Sequence, residues 1–491
     1  MEGGGKRRSP ISILGVPIDY VTRGQALEIL KEWLLERKPR YVIPVNVEVI
    51  LIAQEDPELL RILVDADLVL GEGKAIVWAS KILGNPLPEE ISIGSLLFGL
   101  LNLAERENWK VFLLGKHSEF LRRASVNLRN RFERLTIIGV YGTETEQLHQ
   151  MNHEEIIMRI RATKPDILLV SFPSPIQEKW IRMYVQRIKI PVTLAIGRLL
   201  EVFANKPTKF KSLESARSGW IGELFGGEGL TWKPRWQALL RFWRLVRKQR
   251  ANASRLPGEQ IKVQPPSIVK NFAGLILVEA PQVLDTALVE QIGAQWESFL
   301  NDAQTGMVLD LHRTRTIDST GVGLLVRLHR CARALNKIFI LLQPAVEVLR
   351  LLRTMHLENV FVIVSSEQEA EQYVREHGIG GVPVLSRTES SNLIRLEGEV
   401  TAAHVDSLWE EIRRTLKQQP KGSLIRLDLS GVTFIDSSGL NLLIRTRRLC
   451  WDLGITLVFQ NPSPIALKVL EQSGLREFLF GGMESIPARE T

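Results

Sequence analysis

At 491 residues the chain is too long for one hydrophobic core, and 45% apolar with 24% charged residues excludes a disordered or fibrous protein. A formal net charge of +8 favours anionic partners, whether nucleotide, phosphorylated substrate or membrane surface. Cys331 and Cys450 lack the close pairing of a zinc site, no run of about 18 apolar residues marks a membrane span, and the basic N-terminus lacks the apolar core of a signal peptide.

The first half alternates strand-like and helical stretches. Short, continuous apolar runs occur at Tyr41 to Val45, Leu68 to Leu70, Val111 to Leu114, Thr136 to Val140, Ile167 to Val170 and Val192 to Ile196. Unbroken Val, Ile and Leu runs predict strands buried on both faces, and alternation with helices predicts a parallel α/β sheet. Ligands of such sheets bind beyond the carboxyl ends of the strands. Polar and glycine residues gather there: Asn46-Val47-Glu48, Gly71-Glu72-Gly73-Lys74, Gly115-Lys116-His117, and Ser171 through Gln177 and Glu178 to Trp180. Each alone is ordinary turn chemistry; four converging on one edge predict a pocket.

These segments carry a resemblance. Asn46-Val47-Glu48 followed by Asp56-Pro57-Glu58, then Asp65 to Leu70, Val77-Trp78-Ala79, Lys164 to Leu168, and Pro175 with Gln177 to Trp180 resemble the WecG/TagA/CpsF glycosyltransferase family over about residues 11–250. The resemblance implies a Rossmann-like parallel-sheet domain over residues 1–250. It also implies metal- and cofactor-independent, inverting transfer of N-acetylmannosamine or a related N-acetylhexosamine from a UDP-sugar to a lipid-linked acceptor in polysaccharide synthesis. Carried over, Glu72 is the general base, Asn46 holds the acceptor or donor sugar, and Gln177 and Glu178 line the nucleotide side. Gly73, Lys74, Ser171 and Glu201 complete the substrate-binding set, Lys74 facing phosphate charge.

Departures from the family pattern fall at ligand-facing positions. Glu72 replaces an Asp, Pro44 a Thr and Leu96 an Asp; Ser171 and Pro173 replace glycines, Ile176 a basic residue, and Gly197-Arg198 with Glu201 a Gly-Gly and an Asp. Such a distribution suits an enzyme with changed substrates and equally a degenerate transferase-like sensor or scaffold.

Residues 206–231 read as a polar loop, with Lys206, Lys209, Lys211, Arg217 and the glycines Gly226, Gly227 and Gly229. The stretch 232–250 then carries seven basic residues and no acidic one. Trp236, Leu239, Leu240, Trp243 and Val246 share one helical face, with Arg241, Arg244, Arg247 and Lys248 mostly opposite. Trp236 and Trp243 backed by Arg241 and Arg244 suit a helix lying in an anionic membrane interface. The same pattern suits a helix packed on its own domain with a solvated basic face. The stretch 251–264 reads as a linker containing Pro257-Gly258.

The remainder is a duplication. Asp310 and Asp428, Asp318 and Asp436, and Gly321 and Gly439 are matched pairs, each 118 residues apart. In both copies an apolar strand leads through a loop ending Asp-Ser-Thr-Gly or Asp-Ser-Ser-Gly into an apolar-periodic helix, where such side chains suit a helix N-terminus. Both copies resemble STAS domains, the module of bacterial anti-sigma factor antagonists, at 265–378 and 388–491. The resemblance implies two small α/β domains, phosphorylation at Thr320 and Ser438, and a kinase-type anti-sigma protein as partner. The chain as a whole reads as a bacterial protein at the inner face of the cell membrane, without nucleic-acid partners.

Overall fold

The computed structural model describes residues 8–205, 232–253, 268–272, 274–377, 384–387, 392–402 and 404–480. The loop expected at 206–231 and most of the linker expected at 251–264 lie outside the described residues. Two compact units divide at residue 370.

The first unit opens with a short hairpin, β1 (Ile11–Ile13) and β2 (Val16–Ile18), whose residues are all buried. Its turn takes Leu14 and Gly15 into positive φ. Thr22 and Gln25 form a capping box that starts α1 (Arg23–Glu36). There follow β3 (Arg40–Val45), α2 (Val47–Ala53), α3 (Pro57–Asp65), β4 (Leu68–Gly71), α4 (Lys74–Ile82), α5 (Ile93–Glu107), β5 (Val111–Lys116), α6 (Ser118–Arg131), β6 (Ile137–Thr143), α7 (His153–Thr163), β7 (Ile167–Ser171), α8 (Ile176–Ile188), β8 (Val192–Ala195), α9 (Leu199–Asn205) and α10 (Trp232–Ala253). All six strands read from the sequence form one parallel sheet in the order β4-β3-β8-β7-β5-β6. The chain runs outward from β3 to β4, crosses to β5 and β6, and returns through β7 and β8. Helices cover both faces, which is why β4, β7 and β8 are buried at every position.

The first repeat belongs to the same unit up to residue 370, within its last helix. It comprises β9 (Ile268–Phe272), β10 (Leu275–Glu279), β11 (Val283–Leu284), α11 (Thr286–Asp302), β12 (Gly306–Asp310), β13 (Thr316–Ile317), α12 (Ser319–Ala334), β14 (Ile338–Leu342), α13 (Val346–Thr354), β15 (Val362–Val364) and α14 (Glu367–His377). Its main sheet runs β15-β14-β12-β10-β9, with only β9 antiparallel. One continuous apolar core holds Ile11, Ile13, Leu63 and Val246 together with Val322, Val326, Leu352 and Met355.

Two glycines permit this junction. A Cβ on Gly323, on the outer face of α12, would lie 1.7 Å from the Pro10 carbonyl oxygen, and one on Gly15 would lie 2.2 Å from that of Met355. Around them Arg330 donates to the carbonyls of Val64 (2.5 Å) and Leu63 (3.0 Å), and Arg61 to that of Val360 (2.7 Å). The buried Asp65 carboxylate meets Arg333, Arg61 (3.3 Å) and Arg182 (3.7 Å), with His329 Nε2 at 3.5 Å. Burial alone would raise the pKa of Asp65, but Arg333 and Arg61 hold it well below the usual carboxylate range. Losing either partner of such a cluster strands an uncompensated charge.

The second unit contains β16 (Val384–Arg387), β17 (Leu393–Val400), α15 (Val405–Lys417), β18 (Leu424–Ile435), α16 (Ser437–Leu453), β19 (Thr456–Gln460), α17 (Pro464–Gln472) and α18 (Arg476–Phe480). Its sheet runs β16-β17-β18-β19, antiparallel only between β16 and β17. Asn441 stands where the first repeat has Gly323.

Gly323→Leu is therefore expected to cost ~1–3 kcal/mol by overpacking and to remove hydrogen-exchange protection from residues 11–18. The matched Asn441→Leu, on a half-buried position of α16, should stay within ~0.5 kcal/mol of wild type. Unchanged exchange of the hairpin in Gly323→Leu would show that the close approach is not what holds the repeat in place.

Candidate active site

The order β4-β3-β8-β7 sets Glu72, Asn46, Gly197 and Ser171 on four successive strand ends. Val45 pairs with Gly71, and the Glu72 N–H donates to the Val45 carbonyl at 2.8 Å, so Asn46 and Glu72 follow neighbouring strands directly. The Asn46 side-chain oxygen accepts from Val49 N–H at 3.1 Å, which caps α2 and fixes the residue at the edge. Glu72 is half-buried, and its Oε1 accepts from Ile93 N–H at 3.1 Å, an anchor that aims the carboxylate from the start of α5.

Gly73 caps the start of α4 at φ +90°, a conformation that favours glycine, and no atom stands within 4 Å of where its Cβ would be. Gly197 repeats this at φ +56°. Lys74, the first residue of α4, is exposed, so a cation and the start of a helix lie together beside Glu72. Glu201 is half-buried in the first turn of α9, just beyond Gly197.

On the other side of the crevice Ser171 Oγ donates to the Gly197 carbonyl (2.5 Å), and Gln177 Oε1 accepts from Gly197 N–H (2.9 Å). Gln177 Nε2 and Ser174 Oγ both donate to Glu178 Oε1, at 2.9 and 2.7 Å. These bonds lock the β7–α8 loop onto the β8 end, so Ser171 and Gln177 act first as its fasteners. Glu178 is 0% exposed, burial pushes its carboxyl above the usual range, and Oε2 has no hydrogen-bond partner among the described residues. Next to it Lys179 joins Asp56 (2.7 Å) and Glu58 (2.9 Å); burial opposes its charge, but the two carboxylates hold it protonated. Ser174 and Gly197 were not assigned roles from the sequence; the glycine directly after the sixth strand was the available signal.

In both repeats it is the aspartate that caps the helix. Asp318 Oδ1 accepts from Thr320 and Gly321 N–H at 2.8 Å each, and Asp436 Oδ1 from Ser438 (2.8 Å) and Gly439 (3.0 Å). The neighbouring hydroxyls differ. Thr320 Oγ1 lies 3.1 Å from Thr286 Oγ1, which also bonds Asn85, and Asn85 Nδ2 donates to Ser319 Oγ at 3.0 Å. Thr320 is thus enclosed against the first domain. Ser438 is 6% exposed, and its Oγ has no hydrogen-bond partner among the described residues.

The buried stripe of α10 differs from the expected one. Phe242, Val246 and Gln249 are buried and Leu239 and Trp243 partly so, whereas Leu240, expected on that face, is 62% exposed. The stripe turns because Gln249 must reach the hairpin: its Nε2 donates to the Ser12 carbonyl (2.7 Å) and its Oε1 accepts from Leu14 N–H (2.9 Å). Arg241 pairs with Glu55 at 2.6 Å, Arg244 is exposed, and the Trp236 side chain lies outside the described residues. No described helix is long and apolar enough to cross a membrane.

Glu178 supplies a pH test. Its raised pKa means the folded state holds a proton that the unfolded chain releases near the ordinary carboxylate value, so its contribution to stability falls as pH rises across that window. Glu178→Gln, which keeps an acceptor for Gln177 and Ser174, should melt higher than wild type by a margin that widens from acid to neutral pH; a constant margin would place the ionised form at no disadvantage.

The glycosyl transferase model of the WecG/TagA/CpsF family matches residues 11–255, a STAS domain model matches residues 267–370, and a second STAS model, described as Mlab, STAS domain, matches residues 384–481. A Staphylococcus aureus protein named N-acetylglucosaminyldiphosphoundecaprenol N-acetyl-beta-D-mannosaminyltransferase is 28% identical over 196 residues, 40% of this chain and 75% of that protein. Among solved structures, an anti-sigma-factor antagonist (STAS) domain protein from Planctomyces limnophilus is 24% identical at TM-score 0.20, covering 22% of this chain and 95% of its own. The anti-sigma factor antagonist SpoIIAA in its unphosphorylated form is 27% identical at TM-score 0.20, covering 23% of this chain and 95% of its own. Residues 11–255 of this chain belong to the WecG/TagA/CpsF glycosyl transferase family, and two STAS domains follow them.

Proposed function

We propose that the chain transfers an N-acetylhexosamine of the N-acetylmannosamine kind from a UDP-sugar to a lipid-linked acceptor bearing an N-acetylhexosaminyl diphosphate, at the cytoplasmic face of the cell membrane and without a metal ion. The observation carrying this reading is the row of Asn46, Glu72, Gly197 and Ser171 on adjacent strand ends of the sheet. The name of the Staphylococcus aureus relative supplies the transferred sugar and the acceptor class, and the UDP-linked donor is what the family resemblance implies.

In this reading the Glu72 carboxylate removes the proton of the acceptor hydroxyl while that oxygen bonds to the anomeric carbon of the donor. The bond from that carbon to UDP breaks on the opposite face, so configuration inverts and UDP leaves with the electron pair. Lys74 and the N–H groups opening α4 meet the charge growing on the diphosphate. Asn46 positions a sugar hydroxyl, Glu201 lies near the same edge, and the loop fastened by Ser171, Gln177 and Glu178 shapes the nucleotide side. Gly73 and Gly197 leave the edge open to substrate backbone-close.

The competing reading is a transferase-like scaffold, favoured by Ser171 and Gln177 having their polar groups taken up by Gly197. Release of UDP from UDP-N-acetylhexosamine in the presence of a lipid-diphosphate acceptor separates the two. Glu72→Gln keeps an acceptor for Ile93 N–H, so it should bind donor like wild type while losing ~10² to 10⁴-fold in turnover. Undiminished turnover rules Glu72 out as the base, and donor binding without release in wild type favours the scaffold.

The second STAS domain is proposed as the regulated one, docking a kinase-type anti-sigma protein. An ATP-dependent protein kinase would transfer the γ-phosphoryl group of ATP to Ser438 Oγ, the bond to ADP breaking, ADP leaving and the hydroxyl proton passing to solvent, and place about −1.5 to −2 charges at the start of α16. Ser438→Asp should weaken partner binding at least tenfold relative to Ser438→Ala without lowering the melting temperature by more than a few degrees. Indistinguishable binding by the two variants would leave Ser438 a buried structural residue.

A further inference from the structure

We propose that the second STAS domain pairs with the same domain of a second copy of this chain, β19 against β19 in antiparallel register about Val458, so that two chains share one continuous sheet. The observation behind it is an open sheet edge. Among the described residues β19 pairs with β18 alone. Thr456 N–H donates to the Ser423 carbonyl at 2.8 Å, and successive residues of a strand face alternate sides. Val458 and Gln460 therefore also turn to β18, while Leu457 and Phe459 present their N–H and C=O groups outward.

The internal duplication shows what such an edge takes. β14 matches β19 residue for residue at the offset of 118, and β15 fills its outer side, pairing in parallel with Ile340, Leu341 and Leu342. Just beyond, Gln343 N–H donates to the Val364 carbonyl at 2.9 Å. In the second copy the counterparts of Val362 to Val364 are Phe480, which ends α18, and then Gly481 and Gly482, a sequence poorly suited to a strand. α18 meets β19 at its buried face, where the Phe480 ring lies 6.1 Å from that of Phe459.

Exposed edges are ordinarily blunted by being short or charged. The other three edges of the two main repeat sheets follow that rule: β15 has three residues, β9 carries Lys270 and β16 carries Arg387. β19 has five residues without a charge or a proline, and Val458 on its open face is 41% exposed. Arg426 stands directly across from Val458 on β18. In the first copy these two places are Val308 and Ile340, both fully buried. The second copy has thus turned polar beside Val458 and kept Val458 itself apolar.

A second copy fits this edge because the strand is complementary to itself. With Val458 on a two-fold axis, Leu457 of each chain stands opposite Phe459 of the other as a hydrogen-bonded pair, which satisfies the outward groups. The two Val458 side chains meet as a non-hydrogen-bonded pair, the closer kind, and Thr456 stands opposite Gln460. Apolar side chains meet on both faces and no like charges are opposed. One strand per chain is a small interface, so the dimer forms only as concentration rises.

The test is sedimentation and amide exchange of the full chain from about 1 to 100 μM, a range suited to a weak interface. Mass is expected to rise from one chain towards two, and the Leu457 and Phe459 amides to slow severalfold over the same range, while those of Val458 and Gln460 are protected throughout. Val458→Lys and Val458→Glu should each weaken pairing about tenfold, because each sets like charges face to face. Neither should lower the melting temperature by more than a few degrees, since the side chain is exposed in the single chain. Mixed together, the two variants should recover a one-to-one pair, which contact through another surface would not produce. If a charged variant does not fold, the wild-type amide exchange decides alone. A mass that stays at one chain overturns the proposal. So do Leu457 and Phe459 amides already protected at the lowest concentration, which would show the edge covered within the chain, and pairing that survives both charges or is not recovered on mixing.

Discussion

The first unit depends on the buried hairpin at Ile11 to Ile18, because four elements use the same few residues of it. Gln249 of α10 holds both the Ser12 carbonyl and the Leu14 N–H. Gly323 of α12 lies against the Pro10 carbonyl, and the Met355 carbonyl at the end of α13 lies against Gly15. Asp19, just after the hairpin, accepts from Val69 N–H at 2.7 Å and so ties it to β4 of the main sheet. A glycine inside a helix costs roughly 0.5–1 kcal/mol against alanine. At Gly323 that cost is offset by contact with a backbone that any side chain would push away. The transferase domain and the first STAS domain consequently share one core.

The duplication shows what this commitment changes. Both repeats keep the aspartate cap, and both keep the glycine after it: a Cβ on Gly321 would lie 2.4 Å from the Leu284 carbonyl, and one on Gly439 2.4 Å from that of Val400. These features serve each repeat's own interior. The outer face has diverged instead. Gly323, Arg330 and Arg333 face the hairpin and α3 in the first copy, while their counterparts in the second are Asn441, Arg448 and a Trp451 that is 62% exposed. One module has become part of an enzyme's scaffold; its duplicate retains an outward helix.

How much was legible follows from which forces act locally. Parallel strands buried on both faces leave continuous apolar runs, so the six main strands and their polar ends were readable, and Glu72, Asn46 and Ser171 do fall on one edge. The helix caps were readable because capping acts over two or three residues. The burial phase of α10 is not legible locally: its apolar residues include both Leu240 and Phe242, and the distant hairpin, through Gln249, fixes which faces inward. The union of the first repeat with the transferase domain has no periodic signature at all, since Arg330 with Leu63 and Arg333 with Asp65 are pairs more than 250 residues apart. The readable trace lies in the outer helix face, where the repeats diverge at Gly323 against Asn441 and Arg333 against Trp451.

The shared core also ties the first STAS domain to an element that borders the candidate site. Lys74 opens α4 beside Glu72, and just beyond the other end of the same helix Asn85 bonds Thr286 and Ser319 of the STAS domain. α10 packs against the same assembly through Phe242 and Val246, both fully buried in the common core. Moving the first STAS domain would therefore break the Asp65 cluster, the Asn85 contacts and the seat of α10 together. Arg333 and His329 reach the buried Asp65 carboxylate from the first STAS domain while Arg61 and Arg182 reach it from the transferase domain, so seating the repeat completes a charge cluster to which each domain contributes.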